Sequence, residues 1–244
     1  MERKKLIIGH LFPEFLNMYG DKGNILALQN RLLWRDIDAA VKTFGIDDEI
    51  NFSALDIIVL GGGSDREQKL VCERLQRDRV ALSEYVESGG VLLALCGAYP
   101  MLGKHFPLKN ETLDGLSVLE IDTEPDAARH IGDVVIQSDL MGETGYIVGF
   151  ENHSGKTRIG DYKPLGTVCR GFGNNGEDQS CGVIYKNLVG TYLHGPLLPK
   201  NPKLADYLLS KALLRKYGEE IALLPLCDQA ENEAHDYIVE RFLK

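Results

Sequence analysis

The stretch Val91-Leu-Leu-Ala-Leu95-Cys96-Gly97-Ala98-Tyr99 decides the fold. Five apolar residues without a polar break read as a strand buried on both faces, the habit of a parallel sheet. The strand ends on a nucleophile, with small residues two before it (Ala94) and two after it (Ala98). That is the spacing of a nucleophile elbow, where the chain turns so sharply from strand to helix that larger neighbours would collide. Such a turn aims the Cys96 side chain out of the sheet and leaves the Gly97 amide pointing at the same spot. A helix starting just beyond would favour the thiolate through its positive end. The plainer reading is a core cysteine, since cysteine is among the most buried residue types. Cys72, Cys169, Cys181 and Cys227 lack the elbow setting and read as structural.

Outward from this strand, apolar strands are expected at residues 4–10, 39–44 and 56–60. Helices are expected at 25–34 and 66–87, the second a single long charged helix with apolar positions at Leu70, Leu75, Leu82 and Val86. Alternation of this kind predicts an α/β fold, a mostly parallel central sheet with helices on both faces. The C-terminal half differs. Short segments at 115–121, 132–137, 146–150, 166–169, 182–185 and 190–193, separated by glycine and aspartate turns, predict extra antiparallel strands. Two helices, 202–217 and 230–242, close the chain. With no repeat and no linker-like tract, 1–244 reads as a single domain.

The charge balance excludes more than it suggests. Lys and Arg number 27 against 36 Asp and Glu, a net −9. That field repels phosphate backbones and anionic lipid, so nucleic acid is not expected as a partner. No run approaches the ~20 apolar residues needed to cross a bilayer, and the opening Met-Glu-Arg-Lys-Lys has no signal-peptide character. The five cysteines are odd in number with no CxxC pair, which argues against a disulfide framework or a zinc site. A cytoplasmic protein with reduced thiols and no membrane insertion is the expectation.

Two further elements would serve a cysteine nucleophile. Gly61-Gly62-Gly63, directly after the expected strand at 56–60, lets backbone N–H groups approach an oxyanion closely. It is neither a phosphate loop nor a dinucleotide fingerprint. A base is also needed. His194 ends the segment Gly190-Thr-Tyr-Leu193 before the break Gly195-Pro196, and His153 has a comparable place in Phe150-Glu-Asn-His-Ser-Gly155. Spacing does not choose between them. His10, His105, His130 and His235 read as surface residues.

Taken together, Gly61-Gly62-Gly63-Ser64-Asp65, Cys96-Gly97-Ala98-Tyr99 and Gly190-Thr-Tyr-Leu-His194-Gly195-Pro196 resemble the class I glutamine amidotransferases, in their cobyric-acid-synthase-like branch. The opening Leu16-Asn-Met-Tyr-Gly-Asp-Lys-Gly-Asn24 resembles that branch's Tyr-x-Asp-x-Gly-Asn motif. Gly149-Phe-Glu-Asn-His-Ser-Gly155, Gly171-Phe-Gly-Asn-Asn-Gly176 and the run from Tyr192 to Asn201 are similar to the glutaminase subunits of lipid II isoglutaminyl synthases. The resemblance implies Cys96 as nucleophile and His194 as its base. It also implies Gly97 and the turn at Gly63 as the oxyanion region, and Arg129 as the residue that holds the substrate L-glutamine. Arginine suits that task because its planar fork can grip a carboxylate in two places.

Two departures stand out. The family's usual glutamate two residues beyond the histidine is replaced by Pro196, which leaves a Cys–His dyad. Ala98 and Pro100 stand where glycine and glutamine are frequent, and proline is tolerated in a first helical turn. Ammonia released into solvent would be protonated and lost, and this chain carries no phosphate loop. The resemblance therefore implies a heterodimer with a MurT-like, Mur-ligase-type subunit. That subunit would hold ATP and Mg²⁺ and amidate the D-glutamate α-carboxylate of lipid II; no cofactor or metal is expected in this chain. The rival readings are a glutaminase serving a cobyrinate-type amidase, a catalytically silent regulatory scaffold and, last, a cysteine peptidase.

Overall fold

A computed structural model describes residues 3–243; Met1 and Glu2 of the basic opening, and Lys244, lie outside the described residues. The first half holds β1 (Lys5–Leu11), α1 (Lys22–Leu33), β2 (Asp38–Phe44), β3 (Ile57–Leu60), α2 (Asp65–Leu75), α3 (Arg79–Glu87), β4 (Val91–Leu95) and α4 (Ala98–Met101). A small hairpin follows, β5 (His105–Pro107) with β6 (Thr112–Asp114). Next come the long strands β7 (Asp122–Ser138) and β8 (Gly145–Arg158), then β9 (Gly166–Arg170), β10 (Ser180–Cys181), β11 (Val183–Tyr185) and β12 (Leu188–Thr191). The chain ends with α5 (Pro202–Tyr217) and α6 (Gln229–Leu243).

The main sheet has the order β11-β12-β4-β3-β1-β2, parallel throughout except for the edge strand β11. Every residue of β3 and β4 is buried, as their unbroken apolar composition requires. One face packs on α1 and α5 through Leu28, Leu32, Leu204 and Leu208, the other on α2 and α3 through Val71, Leu75, Leu82 and Val86. The predicted α/β class is therefore the observed one. A second, antiparallel sheet of order β10-β9-β7-β8 supplies the extra strands.

Three local expectations fail. Residues 66–87 are not one helix: a 3₁₀ turn over Gln76–Asp78 divides α2 from α3. Leu70, read as facing the core, is 40% exposed, and Val71, Cys72 and Leu75 are the residues of α2 turned inward. The segment 115–121 is not a strand but a loop, in which the amides of residues 115–119 bond to carbonyls of Met101, Leu102, Gly103 and Lys104. At the other end of the chain a charged clamp ties down the tail. Arg31, 4% exposed, makes paired hydrogen bonds to Asp206 and to Asp228, which precedes α6.

Candidate active site

Cys96 follows β4 with φ at +51°, a left-handed backbone that a residue with a side chain adopts only under constraint. This is the strained elbow that the small flanking residues predicted. Its N–H donates to the carbonyl of Thr191, the last residue of β12, at 2.8 Å. Leu95 and Thr191 are direct partners in the parallel ladder. The strand that delivers Cys96 and the strand that leads to His194 are thus neighbours, joined at their carboxyl ends. Beyond β12, His194 exchanges both backbone hydrogen bonds with Phe150 of β8, which connects the two sheets at this point.

The glycine turn is shaped by close approach to the thiol. A Cβ on Gly62 would lie 2.8 Å from Cys96 Cβ and 3.2 Å from its Sγ, and one on Gly97 would lie 2.3 Å from the Gln68 amide carbon. The Gly97 N–H favours the charged form of the Cys96 sulfur. The Gly62 N–H is instead committed to the Asp21 carboxylate at 2.9 Å. Gly63 lines the same cleft, and its carbonyl accepts from Gln68 Nε2. Gly63 and Gly97, where an oxyanion region is expected, line one cleft with Cys96, and Gly62 is the glycine packed against its side chain. Sequence reasoning did not single out Gly62 or Asp21, although both lie in quoted motifs.

Burial dominates the electrostatics. Cys96 is 8% exposed, and its thiol is pushed up to about 12, by burial first and then by the Asp21 charge; the Gly97 N–H and the Arg129 charge act in the opposite direction. The helix beyond the elbow, α4, has only four residues. The anticipated helix stabilisation of a thiolate is therefore outweighed, and burial favours the neutral thiol at Cys96. His194 is fully buried and its imidazole is pulled down to about 4, chiefly by burial and then by the charges of His153 and Lys200. With thiol and imidazole both held neutral by burial, any chemistry between them calls for proton transfer during the reaction rather than a preformed ion pair.

The two rival histidines differ in their commitments. His153 Nδ1 lies 3.0 Å from the Gly155 carbonyl, Nε2 lies 3.5 Å from Glu151, and the ring stacks on Tyr192 at 3.6 Å. Among the described residues, neither ring nitrogen of His194 has a hydrogen-bond partner, and His153 Nε2 likewise has none. Its ring is held by aromatic contacts, stacked on Tyr19 at 3.8 Å and edge-on to Phe150 at 5.5 Å. His10 and His130 are not surface residues as expected: both lie in strands and are 4% and 5% exposed. In β7 a polar run hides His130, whose ring stacks on Phe172.

Arg129 stands where β7 departs from its ladder with β8. Pro125 pairs with Gly155 and His130 with His153, so residues 126–129 bulge out opposite Ser154 alone. The exposed bulge lines a cleft of about 750 Å³ together with Tyr19, Gly63, Cys96, Gly97 and Asn152. The structure therefore brings Arg129, Cys96, Gly63 and Gly97 to one cleft, while His194 lies beneath its Tyr19 wall. Among the described residues, no cluster of three or more His, Cys, Asp or Glu is arranged to hold a metal ion.

A doubly wound sheet that presents a thiol on a strained elbow, with an imidazole three residues beyond the end of the adjoining strand, fits a cysteine-dependent acyl-transfer enzyme. Residues 7–202 match the CobB/CobQ-like glutamine amidotransferase domain, and the chain belongs to that family. It is 44% identical to the Staphylococcus aureus lipid II isoglutaminyl synthase (glutamine-hydrolyzing) subunit GatD, over 97% of this chain and 96% of that one. The Streptococcus pneumoniae subunit of the same name is 38% identical over 90% of this chain and 85% of the relative. In fold alone, the chain resembles the glutaminase domain of Trypanosoma brucei CTPS, solved with bound acivicin. That likeness has a TM-score of 0.54 at 12% identity and covers 90% of this chain and 96% of that domain.

Proposed function

We propose that this chain hydrolyses L-glutamine to glutamate and ammonia with Cys96 as nucleophile and His194 as base. The observation that carries the reading is the hydrogen bond between Cys96 N and Thr191 O, which joins the strand that ends before Cys96 to the strand that ends three residues before His194. His194 takes the thiol proton as Sγ attacks the carboxamide carbon, and the developing oxyanion faces the amides at Gly97 and Gly63. The same proton passes to the leaving nitrogen, ammonia departs, and a thioester remains. His194 then deprotonates a water, the hydroxide attacks the thioester, and the thiolate leaves and regains its proton. Arg129 holds the glutamine carboxylate. His153, with Nδ1 engaged at the Gly155 carbonyl and its ring stacked on Tyr192, is the rival candidate for the base.

The relatives are named as subunits of a synthase, so a partner subunit is part of the reading. We infer a heterodimer with a MurT-like ligase subunit that binds ATP and Mg²⁺, activates the D-glutamate α-carboxylate of lipid II and uses the ammonia to form D-isoglutamine. This chain would bring no cofactor of its own and would act in the cytoplasm. Among the described residues, no helix is long and apolar enough to cross a membrane. The deciding experiment measures glutamate release from glutamine by wild type, Cys96→Ala and His194→Ala, each with and without a co-expressed MurT-like partner. Activity lost in both variants supports the dyad, and dependence on that partner supports cell-wall amidation. Absence of hydrolysis even in the complex would overturn the reading in favour of a silent scaffold.

A further inference from the structure

His194 is a base without a carboxylate to orient it: Pro196 occupies the usual position, and no hydrogen bond reaches either ring nitrogen among the described residues. A base that is free to rotate loses most of its value, because proton transfer demands hydrogen-bond alignment in the transition state. The ring is nevertheless held. Tyr19 covers it in a stack with centroids 3.8 Å apart and planes within 20°. Tyr19 is itself tied down, since its hydroxyl accepts from Asn152 Nδ2 at 2.7 Å. On its other side, Asn152 Oδ1 accepts from Arg129 Nε at 2.5 Å. Arginine only donates, so the carbonyl oxygen of Asn152 must face it and the amide nitrogen must face Tyr19.

The bond to Asn152 uses only the Nε–H of Arg129, which leaves the Nη groups for a carboxylate. We propose that Asn152 and Tyr19 are positioning residues that link the carboxylate-binding Arg129 to the imidazole of His194, so that seating the substrate also sets the base. The proposal rests on the glutaminase reading of the site. Three parts of the chain contribute: the loop before α1, the bulge of β7 and the adjoining rung of β8. When a carboxylate draws in the guanidinium, Arg129 pulls on Asn152, and Asn152 in turn fixes the phenol that lies on His194. The link runs through contacts already made, so it needs no rearrangement of the sheet.

The test compares wild type, Tyr19→Phe, Tyr19→Leu and Asn152→Ala in complex with the partner subunit, with thermal melts to confirm folding. One readout is kcat and KM for glutamine hydrolysis. The other is the rate at which iodoacetamide alkylates Cys96 between pH 5 and 9, a displacement of iodide by the thiolate that needs no glutamine. Tyr19→Leu should lower kcat and the His194-dependent alkylation rate about tenfold or more. Tyr19→Phe keeps the stack but loses the bond to Asn152, so it should keep the alkylation profile and raise KM severalfold. Asn152→Ala should behave like Tyr19→Phe. Wild-type alkylation in Tyr19→Leu, or wild-type KM in both Tyr19→Phe and Asn152→Ala, would overturn the proposal. A wild-type complex that shows Tyr19-dependent alkylation but no glutamine hydrolysis would sink the glutaminase reading and leave the orienting role of Tyr19 standing.

Discussion

The Thr191 side chain fixes the turn that carries His194: its Oγ1 accepts the Leu193 N–H at 3.1 Å, while its carbonyl accepts from Cys96 N. One residue therefore anchors both halves of the proposed dyad. Thr191→Val preserves the shape but leaves a buried amide without its acceptor, at a cost of about 1–3 kcal/mol. We expect a lower denaturation midpoint and a fall in kcat larger than any change in KM. A variant with wild-type stability and turnover would show that the turn holds itself.

Gly62 admits no side chain while Cys96 stays in place. A methyl group there would press on Cys96 Cβ at 2.8 Å and on its Sγ at 3.2 Å. Gly62→Ala should thus displace the thiol from the oxyanion donors, and the loss of one such donor costs about 10²–10³ in kcat. Gly145→Ala is the matched control, because nothing lies within 4 Å of its added carbon. Steady-state kinetics on the two purified variants would check this, and equal activity would refute it.

Acid should weaken the fold as well as the activity. His10 and His194 are both pulled from 6.5 down to about 4 by burial, so below pH 6.5 the unfolded chain binds protons that the folded chain refuses. Their stabilising contribution is full above pH 6.5 and is lost as pH falls toward 4, by roughly 3 kcal/mol for each histidine. Asp21 works in the opposite sense. Burial raises it to about 6, so its folded-state cost appears as pH rises from 4 through 6. Two groups outweigh one, and urea melts should show net destabilisation from pH 7 to 4.5, steeper in Asp21→Asn. A flat profile would contradict this. For kcat/KM, activity should rise through about pH 4 as His194 loses its proton.

Arg129→Ala should raise the glutamine KM about 10- to 100-fold, the worth of a charge-assisted pair, with a smaller effect on Cys96 alkylation. Arg129→Lys restores the charge without the fork and should recover only part of the loss. Unchanged glutamine kinetics in Arg129→Ala would remove Arg129 from the site.

The parallel sheet and the elbow were legible because they rest on local patterns: unbroken apolar strands and small residues around Cys96. The end of α2 was not, because the polar run Gln76-Arg77-Asp78 changes helix type without proline or glycine to mark it. Segment 115–121 has strand-like composition, yet its amides find carbonyls at the end of α4 and in the loop after it. The burial of His10 and His130 depends on which rung of which sheet each occupies, a long-range fact. Arg129 was reached only through family resemblance, since a bulge four residues long has no periodicity to betray it. The stack of Tyr19 on His194 joins positions 175 apart in sequence, beyond any spacing argument.

The bulge has a consequence for how the cleft can be altered. Because residues 126–129 face a single residue across the ladder, they bear none of its rungs. Lengthening or shortening that loop would leave the pairing on either side in step, so no core side chain would change face. The reach of the arginine into the cleft can thus be adjusted without disturbing the elbow, much as a caliper's jaw slides along a fixed beam.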